Sequence, residues 1–277
     1  MSDKKLMSLK KNVKADDPLV LIDFLEKHSG LSKSVLKKVL NIGGVWVRKF
    51  TDSKRIRVRR ATFDLDAQSF VEMYFDSKFL TMEVPETRVL LDHKEWGLWY
   101  KPQGLLSQGT DFGDHCTILR QVEKQKGKSF LVHRLDREAH GIMLLAYTQK
   151  AAGLFSSQWQ KGEVKKFYKV EVLGDIAEKY PRGGEISFNL DGKEARTTFT
   201  ILDHNLNSSL LLVQIHTGRL HQIRRHFDMI GFPVMGDPKY GKGNKNFEGI
   251  RLMGYRLEFY DPFSKKEISY SLDEITF

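Results

Sequence analysis

Apolar residues recur with two different periods along this chain. After Pro18, Leu21, Ile22 and Leu25, then Val35, Leu36, Val39 and Leu40, return at helical spacing in two segments separated by Ser29-Gly30-Leu31-Ser32. This predicts two helices, the second over Ser32–Asn41 with Ser32 as its cap. Gly43-Gly44 ends it, and Val45-Trp46-Val47 reads as a strand. Residues 1–16 are lysine-rich without an apolar period, which predicts a mobile arm. A third helical stripe runs over Thr148–Lys161 through Ala151, Ala152, Leu154, Phe155 and Trp159, and stops near Gly162.

The remainder is strand-rich. Val89–Leu91, Leu98–Tyr100, Phe167–Leu173, Ala195–Leu202, Leu210–Ile215, Arg251–Tyr260 and Glu267–Ser271 read as strands, with one further helix over Leu220–Met229. Many strands with few helices between them predict an α+β domain built on a mainly antiparallel mixed sheet. The polar stretch around Pro85, residues 78–88, is the expected junction, dividing the chain into 1–80 and 81–277.

Charge sharpens this division. Among 277 residues, lysine and arginine number 45 and aspartate and glutamate 35, giving a formal net charge of +10. Residues 1–80 hold 17 basic and 10 acidic side chains, so the front end carries most of the excess. Such a balance suits a polyanionic partner. Lys33, Lys37 and Lys38 lie away from the apolar stripe of the second helix, as either a solvated face or a set of phosphate contacts; Arg48 and Arg57 belong to a dense basic run after the strand. Cys116 is the only cysteine, which excludes an intramolecular disulfide and a thiolate metal cluster and fits a reducing compartment. No secretory or membrane-spanning pattern is visible, so the reading is a soluble, cytoplasmic protein with no membrane partner. His216, His221 and His226 are spaced by five, which does not stack them on one helix face, and no Walker or Gly-x-Ser-x-Gly pattern occurs. Neither a metal nor a cofactor is expected.

The stretch Phe130–Ala146 concentrates the candidate chemistry. Apolar flanks that read as short buried strands enclose His133-Arg134-Leu135-Asp136-Arg137-Glu138-Ala139-His140-Gly141. Asp136 between two arginines is either an ion pair closing a loop or a reactive carboxylate in a cationic cleft, and the local pattern leaves both open.

The run His133–Arg137 followed by Gly141 and an aliphatic segment resembles the signature of the RluA-type family of RNA pseudouridine synthases. Lys165-Lys166-Phe167-Tyr168 is similar to that family's lysine-x-tyrosine block, and Thr217-Gly218-Arg219-Leu220-His221-Gln222-Ile223-Arg224 to its arginine block. Supporting matches at Lys101-Pro102-Gln103-Gly104 and Gly231–Asp237 extend the resemblance over most of residues 83–260. Residues 18–77 resemble the alpha-L motif, a small RNA-binding module that often accompanies these enzymes. The resemblance implies the pseudouridine synthase sheet with a cleft across it, isomerisation of specific uridines in structured ribosomal or transfer RNA, and no cofactor. It implies Asp136 as the catalytic carboxylate, Tyr168 as the aromatic group against the base and Arg224 as the cation that keeps the carboxylate ionised. Arg134 is implied to take the place of the flipped nucleotide, and Arg137, Lys101, Arg219 and His221 to face the RNA with the basic front end. Two departures stand out: Ala139-His140 where the family has threonine-serine, and Gly254-Tyr255 near the closing strand. They leave room for a second reading, a catalytically silent RNA-binding or ribosome-assembly protein on the same scaffold. Either would work as a monomer on an RNA stem-loop.

Overall fold

The computed structural model describes residues 6–272 and divides into two compact units. The first runs to Pro85 and takes in residues 108–121; the second holds residues 86–107 and the chain from Val122 onward.

In the first unit, strand β1 (Leu6–Asn12) precedes helices α1 (Leu21–Ser29) and α2 (Lys33–Ile42), followed by β2 (Val45–Arg48), β3 (Ile56–Arg57), β4 (Phe70–Asp76) and the short α3 (Ser77–Leu80). The strands form one antiparallel sheet in the order β1-β4-β2-β3. Both longer helices stop where Gly30 and Gly43 turn into the left-handed region, with φ of 68° and 84°. Phe24, Leu25, Leu36, Val39 and Leu40 are buried with Val45, Val47, Val71 and Met73, the helical and alternating patterns meeting in one core. Each large side chain buried there contributes about 1.5–3 kcal/mol.

Three expectations are corrected here. Residues 6–12, read as part of a mobile arm, form a strand hydrogen-bonded along its whole length to β4, although only Leu9 is buried; residues 1–5 of that arm lie outside the described residues. Ser32 stands at the start of α2, but its hydroxyl meets Ser34 rather than capping the helix. The chain also does not cross between units at a single junction, because residues 108–121 belong with the first. Trp46 donates its indole N–H to the Asp111 carbonyl at 3.1 Å, Arg57 donates to the Thr110 carbonyl at 2.8 Å, and Arg59 pairs with Asp114. The guanidinium groups of Arg55 and Arg57 lie 4.4 and 4.2 Å from the Trp46 ring.

The second unit contains β5 (Arg88–Asp92), β6 (Trp96–Lys101), most of α4 (Ile118–Lys126), β7 (Phe130–Leu131), β8 (His140–Ala146), α5 (Gln149–Lys161), β9 (Lys165–Leu173), β10 (Gly184–Ile186), β11 (Thr197–His204), β12 (Ser208–Ile215), α6 (Gln222–Met229), β13 (Leu252–Asp261) and β14 (Lys266–Ser271). Its sheet runs β10-β11-β12-β9-β13-β8-β6-β5, with β14 against β13 and β7 against β8. Only the β8–β13 pairing is parallel among the described strands, so the sheet is mixed and mainly antiparallel, as the pattern predicts. At that pairing Gly141 opposes Gly254, and a Cβ on Gly141 would lie 2.4 Å from the Gly254 carbonyl oxygen. A side chain cannot fit there. Phe155 of α5 packs with Trp96, Leu144 and Phe259 in one core, and Phe227 of α6 packs with Phe199, Val170 and Val213 in another. α5 begins with the Thr148 hydroxyl accepting from the Ala151 N–H at 3.2 Å and ends at Gly162. No described helix is long and apolar enough to cross a membrane.

Candidate active site

Asp136 lies on the loop between β7 and β8, and buried polar groups fix that loop from several sides. The Ser107 hydroxyl donates to the Leu135 carbonyl at 2.6 Å and accepts from the Leu135 N–H at 3.1 Å, locking the residue before Asp136. The Gly104 N–H donates to the Arg137 carbonyl at 2.8 Å. Lys101 is wholly buried, and its ammonium donates to the carbonyls of Ala139 at 2.6 Å, Leu105 at 2.7 Å, Pro102 at 3.1 Å and Arg137 at 3.4 Å. Burial pushes its pKa down to about 7 against the pull of Asp136 and Glu138. Lys101 was expected to face RNA; instead it ties the rim turn to the aspartate loop from inside, where phosphate cannot reach it.

His133 anchors the start of the loop. Its Nε2 accepts from the Leu144 N–H at 2.9 Å, and its ring stacks on Trp159 with centroids 4.6 Å apart. Burial, reinforced by Lys166, lowers its pKa to about 3, so the ring is neutral and suited to accepting that bond. At the far end Ala139 is buried, and His140 Nδ1 meets the Tyr100 hydroxyl at 2.9 Å. The loop end without the threonine-serine pair thus retains a side-chain hydrogen bond.

Opposite the loop stands α6. The turn before it is held by Gln222, whose carboxamide oxygen accepts from the Thr217 hydroxyl at 2.7 Å and from the Arg219 N–H at 3.1 Å. Arg224, only 1% exposed, points its guanidinium at three carboxylates. Nε and Nη2 make the bidentate pair with the fully buried Asp237 carboxylate at 2.7 and 2.8 Å, while Nη1 reaches Asp136 at 3.1 Å and Glu138 at 3.4 Å. Burial disfavours its charge, but Asp237 and then Asp136 outweigh that and push its pKa up. His221 Nε2 lies 3.9 Å from the same Asp136 oxygen. Tyr168, on β9 opposite Gly254, has its phenol pKa pushed up by burial and by the Asp136 charge.

The structure therefore brings Asp136, Tyr168, Arg224 and His221 together. Arg134 and Arg137 project from the same loop and are exposed, while Arg219 Nε is bonded to the Glu194 carbonyl at 2.8 Å. The remaining predicted cations lie in the other unit: Lys37 and Lys38 are exposed on α2, Lys33 is paired with Asp23 at 2.6 Å, and Arg48 is exposed over the Phe70 ring. Arg57 is half-buried and donates to the Gly43 and Thr110 carbonyls, so a structural role replaces the expected RNA contact. Sequence reasoning missed Ser107, Glu138 and Tyr240 as site residues. It matched Asp237 only as part of a block, although a carboxylate after a glycine in a mostly apolar run was a usable signal.

A carboxylate fixed on a rigid loop against a buried arginine, beside an aromatic ring and a basic rim, suits covalent or electrostatic catalysis on an anionic polymer. Residues 95–229 match the model of the RNA pseudouridylate synthase family. An uncharacterized RNA pseudouridine synthase of Synechocystis sp. is 34% identical over 214 residues, covering 67% of this chain and 72% of that protein. One from Mycoplasma genitalium is 29% identical over 266 residues, covering 86% of each. The ribosomal large subunit pseudouridine synthase D of Nitrosomonas europaea is 32% identical over 158 residues, or 51% of this chain and 46% of that protein. The chain spans about half the length of several such relatives, 52% in the case of one from Aquifex aeolicus. In fold it is similar to human RNA pseudouridylate synthase domain containing 1, with a TM-score of 0.59 at 20% identity over 70% of this chain and 86% of that one. The chain belongs to the RluA-type family of RNA pseudouridine synthases, which are isomerases acting on RNA.

Proposed function

We propose that this chain converts specific uridines in structured ribosomal or transfer RNA to pseudouridine, with Asp136, Tyr168 and Arg224 as its catalytic residues. The observation that carries the reading is the chain of charge from buried Asp237 through Arg224 to half-buried Asp136, which holds one carboxylate toward the cleft with a fixed counter-charge. A uridine inside a stem-loop reaches Asp136 only when flipped, and exposed Arg134, two residues away, is placed to fill the vacated stack. Asp136 then forms a bond to the sugar or stabilises its cation as the bond to N1 breaks, Tyr168 flanks the freed base, and rotation presents C5 to C1′. No redox change occurs and no cofactor is required. The first unit supplies affinity for phosphate through exposed cations such as Lys37, Lys38 and Arg48. The protein works as a monomer in the cytoplasm, a placement supported by its single cysteine and its class of substrate.

The test is single-turnover release of tritium from C5 of uridine in total RNA of cells lacking this protein. Asp136→Asn keeps size and most hydrogen-bonding capacity while removing charge and nucleophilicity. It should bind RNA within a few-fold of the parent and release no tritium. Equal release from both proteins would refute the assignment.

A further inference from the structure

The sheet of the first unit packs one face on its helices and turns the other away from them. Leu9 of β1, Val45 and Val47 of β2, and Val71 and Met73 of β4 belong to the core shared with α1 and α2. Side chains alternate between the faces of a strand, so Lys10 and Asn12, Trp46 and Arg48, and Phe70, Glu72 and Tyr74 share the outer face. Residues 108–121 cover one end of it: the Asp111 carbonyl accepts from the Trp46 indole N–H, and Phe112 stands edge to face on Tyr74 with ring centroids 5.5 Å apart. At the other end lies a cleft of about 470 Å³ whose walls include Asn12, Arg48, Phe50, Asp52, Gln68 and Phe70.

The strand register builds the floor of this cleft. Phe70 of β4 lies directly between Asn12 of β1 and Arg48 of β2, and the Arg48 guanidinium is 5.4 Å from the Phe70 ring. Phe50 stands on the turn after β2, its side chain 71% exposed, and that turn is closed by the Asp52 N–H donating to the Lys49 carbonyl at 3.0 Å. The opposite wall is fixed by backbone bonds. Gln68 takes the left-handed φ of 69°, its N–H donates to the Val13 carbonyl at 2.9 Å, and the Val13 N–H donates to the Ser69 carbonyl at 2.8 Å. Lys49 is drawn aside to Asp66 at 3.0 Å, whereas Arg48 is exposed beside the cleft.

A single exposed phenylalanine is ordinary surface. Two rings, a guanidinium, two carboxamides and a carboxylate around one cleft call for a ligand with a flat apolar face, a hydrogen-bonding edge and a negative charge. A nucleotide has all three, and the volume falls within the range of about 300–1,000 Å³ typical of small-ligand sites. A paired base keeps its faces stacked inside the helix, while an unpaired base can lay one on an aromatic ring.

Resting on the proposed role of the first unit in RNA binding, we infer that this cleft is a subsite for one unpaired nucleotide of the RNA. Its base stacks on Phe50 and Phe70, its edge meets Asn12, Gln68 and Asp52, and its phosphate pairs with Arg48. Lys37 and Lys38 belong to α2, which packs on the inner face of the same sheet. The first unit thus selects a single-stranded stretch on one side and holds phosphate on the other.

The test compares binding of the full-length parent and its variants to a single-stranded RNA of mixed sequence and to the blunt duplex it forms with its complement, by fluorescence anisotropy over a range of salt. Phe50→Ala removes an exposed ring and leaves the core intact. It should weaken single-strand binding by about 5- to 150-fold, the range for losing one base–aromatic stack, and leave duplex binding unchanged. Phe50→Trp should bind the single strand at least as well as the parent. Arg48→Gln should lower the slope of log affinity against log salt for the single strand by about 0.7. Equal single-strand binding by the parent and Phe50→Ala, an equal loss on both RNAs, or an unchanged slope for Arg48→Gln overturns this inference and leaves the proposed function standing, since that is read by tritium release. A parent that holds the single strand through Phe50 yet releases no tritium overturns the proposed catalysis and leaves the subsite standing.

Discussion

Replacing Arg224 by methionine separates what its charge does for the fold from what it does for the reaction. Asp237 has no exposed side-chain surface, and two of its partners are the Arg224 Nε and Nη2 groups. Removing one partner of a buried pair costs about 3–5 kcal/mol, because the other charge is left without compensation. Asp237 keeps the N–H groups of Lys239 and Tyr240 at 2.8 and 3.1 Å, which places the loss toward the low end of that range. At about 2–4 °C per kcal/mol, a loss of about 3 kcal/mol should lower Tm by about 6–12 °C. Turnover should fall further than RNA affinity, because the site loses the fixed counter-charge that faces Asp136. The double variant Arg224→Met/Asp237→Asn removes the stranded charge while leaving an acceptor for both N–H groups. It should recover most of the stability and none of the turnover. Melting by circular dichroism and single-turnover tritium release measure the two quantities on the same samples. A double variant that regained turnover together with Tm would show that Arg224 acts on the reaction only by keeping the unit folded.

Lys101→Met should lower stability by about 2–6 kcal/mol, since its two shortest bonds, to Ala139 and Leu105, leave two buried carbonyls unmet at about 1–3 kcal/mol each; the salt dependence of RNA binding should not change, and a flatter salt slope would return Lys101 to the RNA. Lys37→Gln/Lys38→Gln should do the opposite, reducing the slope of log affinity against log salt by about 0.7–0.9 for each phosphate contact removed at unchanged Tm; an unchanged slope would take α2 off the RNA. His133, at about 3 when folded against 6.5 ordinarily, binds a proton in the unfolded state that it does not bind in the folded one. Its contribution is therefore complete above about pH 6.5 and is lost as pH falls toward 3, at up to about 1.4 kcal/mol per pH unit. Urea midpoints at pH 7 and pH 5 should fall less for His133→Gln, which retains an acceptor for the Leu144 N–H, than for the parent; equal falls would contradict the buried neutral imidazole.

Legibility followed the range of the interactions. α5 could be read almost to the residue, because Thr148, the stripe through Phe155 and Gly162 are local signals that packing reinforces. β1 could not, because its partner β4 lies some sixty residues on and a strand with one buried residue shows no alternation. Ser32 marked the right position for the wrong reason: a short polar side chain before a helix has other hydroxyls to meet. In the site, Asp136 and Arg224 were legible only through resemblance, since no spacing joins positions on a loop and a helix so far apart in sequence. The supports of the loop were less visible still. A serine at 107 and a lysine at 101 look like surface residues until the chain closes over them. Lysine is the sharper case, because the same charge that reads as an RNA contact satisfies four carbonyls inside the protein.

The return of residues 108–121 to the first unit sets an order in time. On the ribosome, helices α1 to α3 and strands β1 to β4 of that unit emerge before its last components do, and the stretch from Glu86 to Gln121 takes about 2–7 s to synthesise at about 5–20 residues per second. During that interval Arg59 lacks Asp114, Trp46 lacks the Asp111 carbonyl, and Arg55 lacks Asp111 while keeping Glu72. The second unit has by then contributed only β5 and β6. The basic module is thus finished only after its neighbour has begun, which makes the two units steps of one folding sequence rather than interchangeable cassettes.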